Sequence, residues 1–260
     1  MAVSLSEERD GAAPPRPTPF LRVLGGVDLR DARDAEAGER LLAQQKHVAL
    51  LALLALPRSR DGRPHHWRRD RLVGLLWPEL SQERARNALS KALTQVRAAL
   101  GADAIVTRGD EEVALAPDAL GCDATLFQTE AEDGLLTRAL ERYRGDLLPG
   151  LHVAGCAELD RWVDAERAEL QATAAGAAWA LARRFEGDGA LTDAARIARR
   201  AVRIAWDDER ALRRAMGMLA RLGDRAGALR LYDEFARRLR AEYDAEPSPE
   251  TLAAAAELRA

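Results

Sequence analysis

The stretch Gln82–Gly101, QERARNALSKALTQVRAALG, constrains the fold of this chain more than any other. On a helix turning ~100° per residue, Ala85, Leu89, Leu93, Val96 and Leu100 fall on one stripe. The opposite side carries Arg84, Asn87, Lys91, Thr94 and Gln95, with Arg86, Ser90 and Arg97 along its flanks. No carboxylate stands on that outward face. A solvated helix of this length ordinarily mixes Glu with Lys, whereas Arg, Lys, Asn, Gln and Thr suit phosphates and base edges. Taken alone, the segment is described well enough as a solvated amphipathic helix with a basic bias. Its neighbours decide otherwise.

Before it, FLRVLGG from Phe20 alternates apolar with polar residues, breaks at Gly25-Gly26 and continues as VDLRD. A short hairpin or two edge strands are expected there. Ala32–Arg40 is polar and is expected to be a loop, with a short strand near Arg40–Leu42. QQKHVALLALLAL, Gln44–Leu56, is a buried helix ended by Pro57. A basic loop, PRSRDGRPHHWRR, follows, and then a second helix over about Arg69–Trp77, stopped before Pro78. After the third helix, AIVTRGDEEVALAP gives strand, turn and strand, bent at Gly109-Asp110. Short strands, three helices and a hairpin make a winged helix-turn-helix, in which the third helix enters the major groove and the hairpin rides beside it.

Charge agrees locally. The whole chain of 260 residues carries a net charge of −3, so it is no general polyanion binder. From Arg58 to Arg108 there are 11 Lys/Arg against 5 Asp/Glu, a balance of +6 that leaves −9 elsewhere. A DNA-contacting domain joined to a neutral or acidic one has this segregation. A hydrophobic fraction of 47% supports a packed core, and only 5% aromatics in an Ala-, Leu- and Arg-rich chain favours helices.

The second half reads as helix throughout. A helix starts at Asp123; LLTRALERYRG makes another, closed by Gly145; DLLPGLHVAG is a loop; a long helix runs from about Ala157 to Glu186. Gly189 onward, GALTDAARIARRAVRIAW, aligns with GDRAGALRLYDEFARRLR from Gly223 at an offset of 34 residues. Ala194 falls on Ala228, Ala198 on Tyr232 and Ala201 on Phe235, the period and small-residue spacing of TPR-like helical hairpins. In EPSPETLAAAAELRA, Ser248 can cap a last helix with Pro249 at its first position. The expected architecture is mainly α. A tail (1–18) is expected to be disordered, a winged-helix domain with small strands spans 19–118, and an all-α TPR-like domain spans 119–260.

The order FLRVLGG, ALLALLAL, RDRLVGLLWP, NALSKALTQVRAALG, IVTR resembles the winged helix of the SARP-type bacterial transcriptional activators, akin to the OmpR/PhoB fold. YRGDLLPG, RWVDAER, GDRAGAL and EPSPE resemble the bacterial transcriptional activator domain (BTAD) that follows it in that family. The resemblance covers roughly residues 20–259. It implies a DNA-binding activator acting on double-stranded DNA through paired protomers on direct repeats, and the helical half is expected to mediate dimerisation, contact RNA polymerase or sense a signal. Asn87, Ser90, Lys91, Thr94 and Gln95 would lie near bases or phosphates, Arg97 on phosphate, and Arg108 on phosphate at the start of the wing. The wing departs from the family: Gly109 is followed by Asp110, Glu111 and Glu112, acids that would repel a phosphate backbone.

The sequence contains no GxxxxGK[ST], no GxGxxG after a strand, no GxSxG and no HExxH, so neither a cofactor nor an enzyme activity is expected. His65-His66 lacks metal-ligand spacing and is expected on a basic surface loop. Cys122 and Cys156, far apart, are expected to be reduced thiols of a cytoplasmic protein. The N-terminus lacks the apolar core of a signal peptide, and the run Val48–Leu56 is too short for the ~20 residues of a membrane span. The five tryptophans are expected in packing, with Trp67 alternatively near the DNA backbone. The expected function is sequence-specific regulation of transcription. Lys91, Asn87, Thr94 and Gln95 would read the major groove, and Arg84, Arg86, Arg97 and Arg108 would neutralise phosphates. The competing reading is a TPR-type protein-interaction adaptor whose winged helix no longer binds DNA.

Overall fold

The computed structural model describes residues 17–56 and 65–260. The expected tail, apart from Pro17 and Thr18, lies outside the described residues, as do Pro57 and the first part of the basic loop with Arg58, Arg60 and Arg63.

Strands β1 (Phe20–Arg22) and β2 (Asp28–Arg30) pair antiparallel with Leu21 opposite Leu29, the expected hairpin. β1 is not an edge strand, however. A two-residue strand 100 residues later pairs parallel on its other side, placing Leu21 opposite Cys122. The segment after β2 corrects the sequence reading further. Ala35–Leu42 is a helix, α1, where a loop and a short strand were expected. Asp34 caps it, its carboxylate accepting from Ala37 N at 2.9 Å. Glu36 pairs with Arg40 one turn on at 3.2 Å. Ala37 and Leu41, at i and i+4, suffice to bury its one apolar edge. Gly38 brings the helix in close, since a Cβ there would stand 3.1 Å from the Ala32 methyl.

Helix α2 (Gln45–Ala55) is buried on every side from His47 to Ala55, as an apolar run without polar stripe should be. β3 (Trp67–Arg68) leads directly into α3 (Arg69–Leu76), and α4 (Gln82–Leu100) follows as the fourth helix rather than the third. β4 (Ile105–Arg108) and β5 (Glu112–Leu115) form the hairpin, and β3 adds to it in the order β3-β5-β4. Trp67 is fixed in this packing: its indole N–H donates to the carbonyl of Leu53 in α2 at 2.7 Å.

The short strand β6 (Gly121–Cys122) opens α5 (Asp123–Glu132), and α6 (Leu136–Arg142) packs on it. Arg142 grips Glu130 of α5 with two hydrogen bonds of 2.7 and 2.9 Å. The chain then returns to β1. The Asp123 carboxylate, 5% exposed, accepts from Val23 N at 2.9 Å and Leu24 N at 3.2 Å. Gly25 N donates to Asp146 O at 2.9 Å, and Leu148 N donates to Val23 O at 2.7 Å. Gly25 has φ +75°, and a Cβ on it would meet the Arg144 carbonyl at 2.9 Å. From above, Arg167 of α7 (Ala157–Gly187) donates to Leu147 O and Leu148 O, each at 2.8 Å. FLRVLGG, YRGDLLPG and RWVDAER therefore meet at one junction. One continuous apolar cluster runs from Leu21 through Leu53, Leu93, Phe127 and Leu159 to Ala174, without a break at residue 118.

A second cluster fills the helical hairpins. α7 turns into α8 (Leu191–Ile204) and α9 (Glu209–Arg221) into α10 (Arg225–Tyr243). Each turn uses a glycine at positive φ, Gly189 at 73° and Gly223 at 80°, 34 residues apart. Ala194, Ala198, Ala201, Ala228, Tyr232 and Phe235 are all buried, so the sequence offset is the structural repeat.

α11 (Pro249–Arg259) closes the stack. Ser248 occupies its N-cap position, but the hydroxyl does not cap the helix. It donates instead to Glu209, which also accepts from Thr251 Oγ1 and, at 3.0 and 3.1 Å, from Ser248 N. Burial pushes the Glu209 carboxyl up, but the bonds from Ser248 and Thr251 and the charge of Arg213 outweigh it and hold the pKa below the usual value.

Two outcomes are expected. Asp123→Ala orphans two buried N–H groups and should cost about 2–6 kcal/mol in a urea titration, at roughly 1–3 kcal/mol per group. Glu209→Ala should release α11, seen as faster amide exchange over 249–259. Because the folded pKa of Glu209 is depressed, its contribution is complete above the unfolded carboxyl pKa and is lost as pH falls through the folded one. The wild type should therefore lose α11 protection on acidification and the variant should show no such step.

Candidate nucleic-acid interface

Helix α4 is positioned on two sides. Ala85, Leu89, Leu93, Val96 and Leu100, the stripe read from the sequence, are all buried, as are Ala92 and Ala99. The alanine edge lets α1 come close, and Arg33 N donates to Ala99 O at 2.7 Å. α3 packs beside the other edge. Gly101 ends the helix at φ 120° and turns the chain into the wing.

The remaining face points to solvent. Arg84, Asn87, Ser90, Lys91 and Thr94 are exposed with the whole chain in place, while Gln95 and Arg97 are half-buried. Thr94 Oγ1 donates to Ser90 O at 2.9 Å, which leaves its lone pairs outward. Among the described residues, Arg84, Lys91 and Arg97 have no carboxylate within 4.0 Å. The structure brings Arg84, Asn87, Lys91, Thr94 and Gln95 onto one surface and sets Ser90 and Arg97 at its border. It does not bring Arg86 there. Arg86 turns toward α3, where Nη2 and Nε donate to one oxygen of Asp70 at 2.9 and 3.3 Å. Arg108 lies apart on the wing, paired with Glu112 at 3.6 Å.

The wing differs from the expectation of three acids at one tip. Glu112 belongs to β5, in register with Arg108 on one side and Arg68 on the other. Asp110 and Glu111 make the turn, which Gly109 admits at φ 59°. Glu111 accepts from Arg68 at 3.3 Å, and its carbonyl accepts from Arg69 N at 2.8 Å. Sequence reading missed Arg68, Arg69 and Asp70 as members of this surface. They line a groove of about 390 Å³ with Arg86, Ser90, Asp110 and Glu111. The only signal was the run Arg68-Arg69-Asp70 at the start of α3; the two-residue strand that aims it at the wing has no pattern of its own.

No group of three or more His, Cys, Asp and Glu among the described residues could hold a metal. His65 packs edge-on against Trp67, with ring centroids 5.0 Å apart. Cys122 and Cys156 are free and buried, their thiol pKa values pushed up by burial. No helix among the described residues is long and apolar enough to cross a membrane.

A winged helix with an exposed cationic helix, continued by stacked helical hairpins, is the architecture these elements define. Residues 127–259 match the family of the bacterial transcriptional activator domain, and the chain belongs to that family. The fold is that of a solved structure, Mycobacterium tuberculosis EmbR in complex with a low-affinity phosphopeptide, at a TM-score of 0.59 and 17% identity. The likeness covers 93% of this chain and 65% of that one, so this chain spans about two thirds of EmbR's length. No curated protein matches the sequence.

The outer face should be separable from folding. Asn87→Ala or Lys91→Ala should leave stability within about 0.5 kcal/mol of wild type. Leu89→Ala, 1% exposed beneath the same surface, should cost about 2–5 kcal/mol. Urea midpoints at constant slope check both.

Proposed function

We propose that this protein is a sequence-specific DNA-binding regulator of transcription and, by its family, an activator. One observation carries the reading. The outer face of α4 presents Arg84, Asn87, Lys91 and Thr94 to solvent, and the helical half of the chain does not cover it. In this reading 19–118 docks α4 in the major groove. Asn87, Lys91, Thr94 and Gln95 meet base edges; Arg84 and Arg97 meet phosphate. The family match supports a regulatory role for 119–260, as a contact to RNA polymerase or to a second protomer. The ion pairs of Arg86 and Arg108 make these two the weakest phosphate candidates.

Selection of bound duplex from a random pool tests the reading. An enriched motif is expected, as direct repeats about one helical turn apart or a multiple of it if protomers bind in pairs. Lys91→Ala and Asn87→Ala should each lower affinity for the enriched duplex by about 1–3 kcal/mol and relax preference at one position. Arg84→Ala should weaken all duplexes alike and flatten the salt dependence. Absence of any shifted complex at low salt would sink the reading in favour of the protein-interaction adaptor.

A further inference from the structure

We propose that Asp70 and Glu111 determine specificity by masking arginines in the wing groove, which suppresses binding to DNA of the wrong sequence. The inference rests on the DNA-binding reading above and concerns a different part of the surface from the base-reading face.

The groove between the wing turn and α4 is lined by three cations, Arg68, Arg69 and Arg86, and three carboxylates, Asp70, Asp110 and Glu111. Its charges cancel. Asp70 engages Arg86 through both Nη2 and Nε, across the α3–α4 contact. Glu111 engages Arg68 across the β3–wing contact at 3.3 Å. On the adjoining strands Arg108 faces Glu112, so the wing adds a further neutral pair. The outer face of α4 is the opposite case, with Arg84 and Lys91 unpaired among the described residues.

Binding to unrelated DNA is almost wholly a matter of phosphate neutralisation, and its strength follows the number of cations free to displace counterions. Such complexes sample many poses, and a cationic groove beside the recognition helix would serve most of them. A complex on the correct sequence has one register, set by base contacts on the outer face. Holding Arg68 and Arg86 against carboxylates therefore weakens the first kind of complex more than the second. The pairs are solvent-exposed and contribute little to folding, which leaves electrostatic selection as their main consequence.

Asp70→Asn keeps the shape of the side chain and removes its charge. Salt-series titrations of the full chain, with a short random-sequence duplex and with the selected duplex, read the effect. Freeing one arginine should strengthen binding to the random duplex roughly fivefold to tenfold near 0.1 M salt and steepen its log–log salt slope by ~0.9. The selected duplex should gain less, so the specificity ratio falls. Adding Arg86→Ala to Asp70→Asn should remove the gain, and Glu111→Gln should reproduce it through Arg68. Glu83→Gln, on the exposed first turn of α4, deletes a charge without freeing an arginine and should change the slope by less than half as much. Unchanged random-duplex affinity and slope in both Asp70→Asn and Glu111→Gln overturn the proposal while DNA binding stands, as does a gain that survives Arg86→Ala. If neither wild type nor variants bind either duplex at the lowest salt, the DNA-binding reading itself has failed and the masking proposal falls with it.

Discussion

The buried Asp123 carboxylate is the point from which this structure is best understood. It sits where β6 becomes α5 and receives the N–H groups of Val23 and Leu24, about 100 residues earlier. Burial pushes its pKa up, and the backbone donors oppose that. A lone carboxylate in such a place would be costly; one that completes the hydrogen bonding of a strand end is stabilising. With the strand end fixed, Gly25 and Leu148 complete a short ladder between the residues just after β1 and the loop after α6. Arg167 then ties α7 to the same loop. The first strand of the winged helix is thus tied on its other side to the start of the helical half.

That junction sets how the two halves can communicate. Arg71 of α3 pairs with Glu158 of α7 at 2.7 Å, and Cys156 Sγ donates to the Leu76 carbonyl at 3.5 Å. The apolar cluster passes from β1 and α4 into α5 and the first half of α7, and ends at Ala174. Domains joined by a flexible linker move relative to each other by default; here the joint is core. The second cluster takes in Leu140 of α6 and continues along α7 from Ala177. The hairpins of α8 to α11 are connected to α4 through α6, α7 and this packed junction, with Arg200 of α8 donating to the Leu140 and Tyr143 carbonyls.

The parts legible in the sequence are those whose pattern is carried by one segment. The apolar stripe of α4, the buried run of α2, the span of α7 and the 34-residue offset of Gly189 and Gly223 all depend on periodicity or on glycine at a turn. What escaped reading depends on partners distant in sequence. β3 and β6 are two residues long and exist because β5 and β1 complete them. α1 buries only Ala37, Gly38 and Leu41, so its eight residues look polar, and its cap at Asp34 was the one clue. The motifs that gave the family resemblance, YRGDLLPG, RWVDAER and EPSPE, lie at the junction and around Glu209. They record packing, and for that reason they identify the fold without naming a single base contact.

Charge shows the same limit most sharply. The +6 balance between Arg58 and Arg108 looks like a field directed at DNA. Three of its arginines are answered by acids beyond the window: Arg68 by Glu111, Arg108 by Glu112 and Arg71 by Glu158. Arg86 is answered within it by Asp70. Adding those three outside acids halves the balance to +3. Linear counting cannot see this, because the fold brings the acids back from the wing and from α7. Among the described residues, what survives is Arg84 and Lys91 on the outer face of α4, Arg97 at its edge, and the half-buried Arg69 in the groove. Free cationic charge is thus concentrated on the outer face of α4, while most of the groove beside it is paired off by carboxylates.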